Sequence, residues 1–249
     1  MLTFAERQLE REAGRRAEVG ESRRRPEAAV RLARQQWLAA VRKLDGLIDA
    51  GSSRSLPVLN ALGREQGLLR LGPRPIRLSR RQTEFLVLLA GHPRGMTTEE
   101  LAFALYGDPG RPASVRTLLY RVRKAAAPWI HSERGWVRLE IEADFLVVQR
   151  LLRAGLTRDA ARRYAATLLP SSDAPGVVEA RDELDTWVRS AVMASGDREA
   201  LWAWLKSASG RDDALAWKRF AVDVDFLDPR RSLAASRIAG LGDSPALAA

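Results

Sequence analysis

Residues 114–126, SVRTLLYRVRKAA, constrain this chain more than any other stretch. On a helical wheel Val115, Leu118, Leu119, Val122 and Ala126 fall within one arc of about 100°, the width of a stripe that faces a core. The opposite side carries Thr117, Tyr120, Arg121 and Lys124, flanked by Ser114, Arg116 and Arg123. Such a helix has to be packed on one side. On the other it offers cations and hydrogen-bonding groups to a partner in water.

The flanking residues predict what it packs against. Leu69 and Leu71, then Ile76 and Leu78, alternate with Arg70 and Arg77 across Pro73-Arg74-Pro75, as in a short hairpin. Ser79 with Gln82 makes a capping box for a helix whose apolar face is Phe85, Leu86, Leu88 and Leu89, and which Gly91 closes. Thr97 with Glu100 opens a second helix, with Leu101, Ala104 and Leu105 inward and Gly107 as its stop. The turn Asp108-Pro109-Gly110-Arg111-Pro112 leads into the third helix, from about Ser114 to Ala126. Ile130–Ser132, a Glu133-Arg134-Gly135 turn and Trp136–Ile141 form a second hairpin. In it Val137, Leu139 and Ile141 point one way, and Trp136, Arg138 and Glu140 the other.

Hairpin, three helices, hairpin is the winged helix-turn-helix layout, expected over 68–141. In that fold the third helix enters the DNA major groove, where Arg and Lys meet phosphates or guanine edges and Thr and Tyr reach bases or backbone. Arg134 and Arg138 of the wing then face an adjacent backbone or minor groove. Arg80 and Arg81, at the head of the first helix, read as phosphate clamps or solvent-exposed groups. The charge is distributed accordingly: of the formal +10, residues 1–67 carry +4, residues 68–141 carry +7 and residues 142–249 carry −1. An excess confined to one module suits a polyanion-binding face. An Arg-rich solvated surface would give the same sum.

The flanks read as helical. Segments 5–20 and 26–50 are helices, the second with Pro26 at its first position and Gly51 as its C-terminal cap. Val30, Trp37 and Leu44 recur at seven, with Ala33, Ala40 and Leu47 between them. This seam fits a homodimer contact or packing against the chain's next domain. Residues 51–67 are a Gly/Ser/Pro-punctuated connection. Beyond 143 come helices Asp144–Ala154, Thr157–Leu169, Val177–Ala194, Arg198–Ser209, Arg211–Phe226 and Pro229–Gly240, with Gly or Pro at the breaks. They suggest an α-solenoid-like stack in which Trp187, Trp202, Trp204 and Trp217 pack between helices. Asp212, Asp213, Asp223, Asp225 and Asp228 read as a solvated acidic face, since Asp223 and Asp225 do not share a helix face and no nucleophile neighbours them. The expected organisation is a helical segment and linker over 1–67, the winged helix over 68–141, a TPR-like helical domain over 142–240 and a flexible tail over 241–249. The fold class is mainly α, with an α+β winged helix between all-α flanks.

At this point a family resemblance stands on quoted residues. The run LSRRQTEFLVLLAGHPRGMTTEELAFALYG, through SVRTLLYRVRKAA, to IHSERGWVRLE resembles the OmpR/PhoB-type winged helix found in SARP-like bacterial activators. DFLVVQRLLRAGLTRDAARRYAATLLPSSDAP with VVEARDELDTWVRSAV resembles the TPR-like bacterial transcriptional activator domain that follows it. Together they cover about residues 68–195, in the family's order. The resemblance implies DNA contact by Arg116, Thr117, Tyr120, Arg121 and Lys124, with Arg123 at the flank in a structural or phosphate role. It implies a sequence-specific transcriptional regulator of a bacterium, acting on double-stranded DNA as a homodimer. The C-terminal helical domain would meet a second protomer, RNA polymerase or another regulator. With about five to seven cations engaged, log K would fall against log salt with a slope of roughly −5 to −6. Two family parts are not found: a phosphoacceptor receiver before the winged helix, and an ATPase module with a GxxxxGK[ST] loop after it. The alternative function is a TPR-like protein-interaction adaptor whose winged helix does not read sequence.

Composition excludes other chemistry. With no cysteine there is no disulfide, thiolate zinc site, Fe–S cluster or Cys nucleophile, and two histidines cannot build a multi-histidine metal cage. His92, before Pro93, reads as a turn residue and His131 as a wing-strand residue. No catalytic residue, cofactor or metal is expected. MLTFAERQLEREAGRR has no apolar h-region, and the strongest apolar run, Phe85–Ala90, is far short of a membrane span, so a cytoplasmic protein is expected. Ala246-Leu247-Ala248-Ala249 resembles tails that bacterial ATP-dependent proteases recognise, an ending that an alanine-rich chain also produces by chance.

Overall fold

The computed structural model describes residues 56–242. The segments 5–20 and 26–50 expected to be helical, their apolar seam, and the residues from 243 onward lie outside the described residues. The first described element is a strand that sequence reading assigned to the linker. β1 (Val58–Asn60) pairs antiparallel with β2 (Leu68–Arg70), which pairs antiparallel with β3 (Pro75–Arg77), and β7 (Glu142–Ala143) lies parallel along the other edge of β1. The module therefore begins at β1 and not at Leu68, and it closes with β7, past residue 141. Three residues are too few to show a period of two, and one edge of β1 is paired with a strand far along the chain. Leu59 and Leu69 lie opposite each other in the register and are fully buried.

Three helices follow, as the caps predict. α1 (Arg80–Gly91) has the Ser79/Gln82 capping box, in which the Ser79 N–H donates to Gln82 Oε1 at 2.8 Å. α2 (Thr98–Tyr106) has the Thr97/Glu100 box, and Gly107, at φ 71°, ends it in the left-handed conformation that favours glycine. α3 spans Pro112–Ala126, starting before Ser114 because Pro112, with φ already near the helical value and no N–H to satisfy, occupies the first turn. A second sheet, ordered β4-β6-β5, joins β4 (Met96–Thr97), β5 (Ile130–Glu133) and β6 (Trp136–Leu139). Phe85, Leu86 and Leu89 of α1, Leu101 and Leu105 of α2, and Val115 and Val122 of α3 are buried together in the core of these helices.

Six further helices make the described chain mainly α: α4 (Asp144–Arg153), α5 (Thr157–Arg163), α6 (Pro175–Ser195), α7 (Arg198–Leu205), α8 (Ala214–Asp223) and α9 (Arg230–Gly242). Three are clearly shorter than expected. α5 stops at Arg163, not Leu169, because Tyr164 is buried against Asp185, whose carboxylate takes its hydroxyl, and Leu168 then bridges to Leu62. α7 ends at Leu205 and α8 starts at Ala214, because Asp213 is an N-cap and not a helix-interior residue. No helix among the described residues is long and apolar enough to cross a membrane.

The boundary expected at 141/142 is not a seam. The described residues belong to one compact unit that begins at Leu56. Asp144, at the head of α4, accepts the Ala61 and Leu62 N–H groups at 2.8 and 3.0 Å, tying the helix to the strand loop. Burial pushes its carboxyl up, while those N–H groups, that of Phe145 and the charge of Arg64 pull it down. α6 packs on α1 and α2, so helices from both expected domains share one core.

Within the helical stack Asp213 ties three elements together. Its carboxylate takes Arg189 Nε and Nη2 at 2.6 and 3.0 Å, the Trp204 indole N–H at 3.1 Å and the Ala216 N–H at 3.1 Å. Burial opposes its charge, but the Arg189 guanidinium, the Ala216 N–H and the Trp204 N–H outweigh it and hold the carboxyl below its ordinary value. A depressed pKa adds stability above the unfolded value of about 4, and that stability is lost as pH falls through the folded value. Asp213→Asn is expected to cost about 1–3 kcal/mol at neutral pH. In melts of both proteins from pH 7 to 3, the gap should close below about pH 4; a gap constant over that range would contradict the assignment.

Candidate nucleic-acid interface

α3 divides as its sequence predicts. Val115, Leu118, Leu119, Val122 and Ala126 are buried, and Arg116, Thr117, Tyr120, Arg121, Arg123 and Lys124 are all exposed. Tyr120 is 64% exposed, a large aromatic ring left in water, with the Lys124 ammonium 5.1 Å from its centre. The Thr117 hydroxyl donates to the Ala113 carbonyl at 3.1 Å, leaving its acceptor lone pairs outward. Among the described residues no carboxylate pairs with Arg116, Arg121, Arg123 or Lys124. Arg123 and Lys124 lie in the last turn, where the helix dipole favours cations.

The wing turn is tighter than expected. Glu133 belongs to β5, opposite Trp136, and only Arg134 and Gly135 turn, at φ 49° and 84°. Positive φ at both central residues matches the twist of the strands they join. The Arg134 side chain is 90% exposed at the tip, 3.9 Å from Glu133. Arg138 is on the outward face, as expected, but donates to Glu140 at 2.8 Å, and His131 Nε2 lies 3.8 Å from the same carboxylate. Its guanidinium is thus paired within the hairpin while its side chain stays half-exposed.

Arg80 and Arg81 are half-exposed and each is paired within the fold. Arg80 Nε reaches Glu84 at 3.3 Å and its Nη2 donates to the Ser171 carbonyl and to Asp173. Arg81 Nη1 donates to Glu84 at 2.8 Å and to the Leu105 carbonyl at 3.2 Å. Glu84 is completely buried and also takes the Ser172 hydroxyl at 2.7 Å. A carboxylate without water needs these cations, so the pair serves the contact between α1 and the loop before α6. Arg111, which sequence reading passed over as a turn residue, stands over the Tyr106 ring that Arg81 also covers, at 5.9 and 5.3 Å. A cation at the N-cap of α3 beside a Tyr is weak as a sequence signal.

The other singled-out residues have structural partners. The His92 ring Nδ1 sits 2.7 Å from the Leu88 carbonyl at the end of α1. Of the five aspartates, Asp212 is exposed as expected and Asp225, although paired with Arg198, is 76% exposed, whereas the Asp213 side chain is buried on Arg189, Asp223 pairs with Arg219 and Asp228 with Arg230. Trp204 and Trp217 are core residues as expected. Trp202 is half-buried between Phe220 and the Arg230 guanidinium, and Trp187 is half-buried under Arg153. Among the described residues no group of three His, Cys, Asp or Glu could hold a metal ion.

Residues 197–246 match the family described as YTH3-like protein, third C-terminal helical domain, which takes in α7 to α9. Over 187 residues, 75% of this chain, the sequence is 30% identical to an uncharacterized 47.3 kDa protein in the thcA 5' region of Rhodococcus erythropolis. This chain spans 43% of that relative's length.

If Arg80 and Arg81 serve Glu84, replacing both with Ala leaves a buried carboxylate with only the Ser172 hydroxyl. A loss of about 3 kcal/mol is expected, read from urea midpoints. A loss below about 0.5 kcal/mol, the scale of an ordinary surface change, would return both residues to the solvent-facing reading.

Proposed function

We propose that this chain is a sequence-specific DNA-binding transcriptional regulator of a bacterium. In this reading the elements from β1 to β7 form a winged helix-turn-helix of the OmpR/PhoB type, and the helices from α4 onward form a TPR-like activator domain. The observation that carries it is the solvent face of α3. Four cations with no carboxylate partner among the described residues, an exposed Tyr and a Thr lie along one side of a helix whose other side is buried. Unpaired Arg and Lys neutralise phosphates or fork onto guanine edges, and the Tyr and Thr add contacts that depend on the base.

The wing supports the same reading through Arg134, which projects exposed at the hairpin tip, where a wing of this type would reach the DNA backbone. Arg80 and Arg81 are withdrawn from the interface by Glu84, and Arg138 by Glu140. That leaves Arg116, Arg121, Arg123, Lys124 and Arg134, for which the slope of log K against log salt is about −4 to −5 per protomer. The proposed partners are double-stranded DNA, a second protomer, and RNA polymerase or another regulator at the helical stack.

Selection of bound sequences from a randomised duplex pool at about 150 mM salt tests the reading. The wild type should enrich a motif that an Arg121→Ala/Lys124→Ala variant loses. Arg121→Ala alone should weaken binding to that motif by about 1–3 kcal/mol if it reads a base. No enriched motif, with all binding removed by salt, would leave the adaptor reading in its place.

A further inference from the structure

A groove of about 1070 Å³ runs between the end of α1, the outer side of α2, the wing and the first turns of α6. Its floor is apolar, with Leu88 and Ala104, and two aromatic rings stand open in its walls. Phe103 is 57% exposed and Trp136 51% exposed, so neither is used by the core. The charge here is opposite to that of α3. Glu99, Glu100 and Glu179 line the groove with a single guanidinium, Arg94, and the His92 ring is already held at the Leu88 carbonyl. Within a stretch that carries +7 overall, this is a local acidic site.

The groove is also preformed. Trp136 is paired in register with Thr97, the N-cap of α2, so the ring and the Glu99 and Glu100 carboxylates are set by adjoining backbone. The Glu100 carboxylate accepts the Thr97 N–H at 2.7 Å and Glu99 takes the Thr98 hydroxyl at 3.1 Å. On the far wall, a Cβ on Gly176 would stand 2.8 Å from Ala104 Cβ and Leu88 Cδ2, so α6 meets α2 and α1 there with no room for a side chain. Glu179, on the exposed side of α6 beyond that contact, has no partner among the described residues.

We propose that this groove binds a protein segment in which an aromatic or aliphatic anchor is flanked by Arg or Lys. The anchor fills the space between Phe103 and Trp136, where rings give large contact area at little entropic cost and an arginine can stack. The flanking cations meet Glu179 and Glu99. A nucleic acid is excluded by the same carboxylates, so the groove is a second, protein-directed surface. The inference does not rest on the DNA reading, because it uses none of the α3 residues.

The test uses the full chain, immobilised, against displayed random peptides about twelve residues long. Enriched peptides are then titrated by fluorescence polarisation. The expected consensus has Arg or Lys beside a Phe, Trp or Leu, with affinity falling about tenfold or more in both Phe103→Ser and Glu179→Arg. Both side chains are exposed, so unchanged melting temperatures should accompany the loss. The Arg121→Ala/Lys124→Ala variant should bind the peptides like wild type. No enrichment, an acidic consensus, affinity unchanged in either groove variant, or loss in the α3 variant would each overturn the proposal.

Discussion

The buried Glu84 carboxylate is the interaction on which the described architecture depends. Its side chain is fully buried, and Arg80 and Arg81 meet it from α1 and the Ser172 hydroxyl from the loop before α6, partners without which a buried carboxylate is costly. The requirement propagates. Ser172 Oγ, fixed by Glu84, accepts the Ala174 N–H at 3.3 Å, and Arg181 Nη1 donates to the Leu169 carbonyl at 2.7 Å from within α6. The loop thereby starts α6 where it meets α2 at Gly176. One carboxylate thus joins the helices that position α3 to the first long helix of the stack.

Arginine serves two ends in this chain, and the division explains its charge distribution. From α4 onward many guanidiniums are matched by carboxylates: Arg158 forks onto Asp197, Arg189 onto Asp213, and Arg230 joins Glu199 and Asp228 while covering Trp202 and Phe220. Bidentate geometry makes such pairs directional as well as attractive. The stack is accordingly near neutral although rich in arginine. On α3 the guanidiniums have no carboxylates among the described residues, and the excess positive charge of the middle of the chain is left for something outside it.

Local rules were the most legible part of the sequence. The capping pairs Ser79/Gln82 and Thr97/Glu100, the stop at Gly107 and the apolar stripe of α3 each need only a few neighbouring residues, and the structure has all of them. Non-local partners were not legible. β1 is three residues long and is held by β7 from the far end of the module. Asp213 looked like one of a set of solvated acids because Arg189 and Trp204, which define it, lie on other helices. Arg80 and Arg81 looked like phosphate ligands because their i,i+4 and i,i+3 partner, Glu84, gives no sign in sequence that it is buried. On α3 the candidate residues were found where expected because amphipathicity alone sorts them.

The parallel pairing of β1 with β7 also sets an order of events during synthesis. Leu59 lies beside Ala143, and the loop after β1 is held by the Asp144 carboxylate, so contacts made by the first strand wait for residues more than eighty positions later. Loop closure over that span must precede its reward, which slows folding relative to the local helices. As the chain leaves the ribosome, α1 to α3 can form while β1 still has one unpaired edge. That edge is short and has β2 on its other side, which limits its use as a template for pairing with a neighbouring nascent chain. The sheet is sealed only once the start of α4 has emerged, so the same two residues that end the first module also license it.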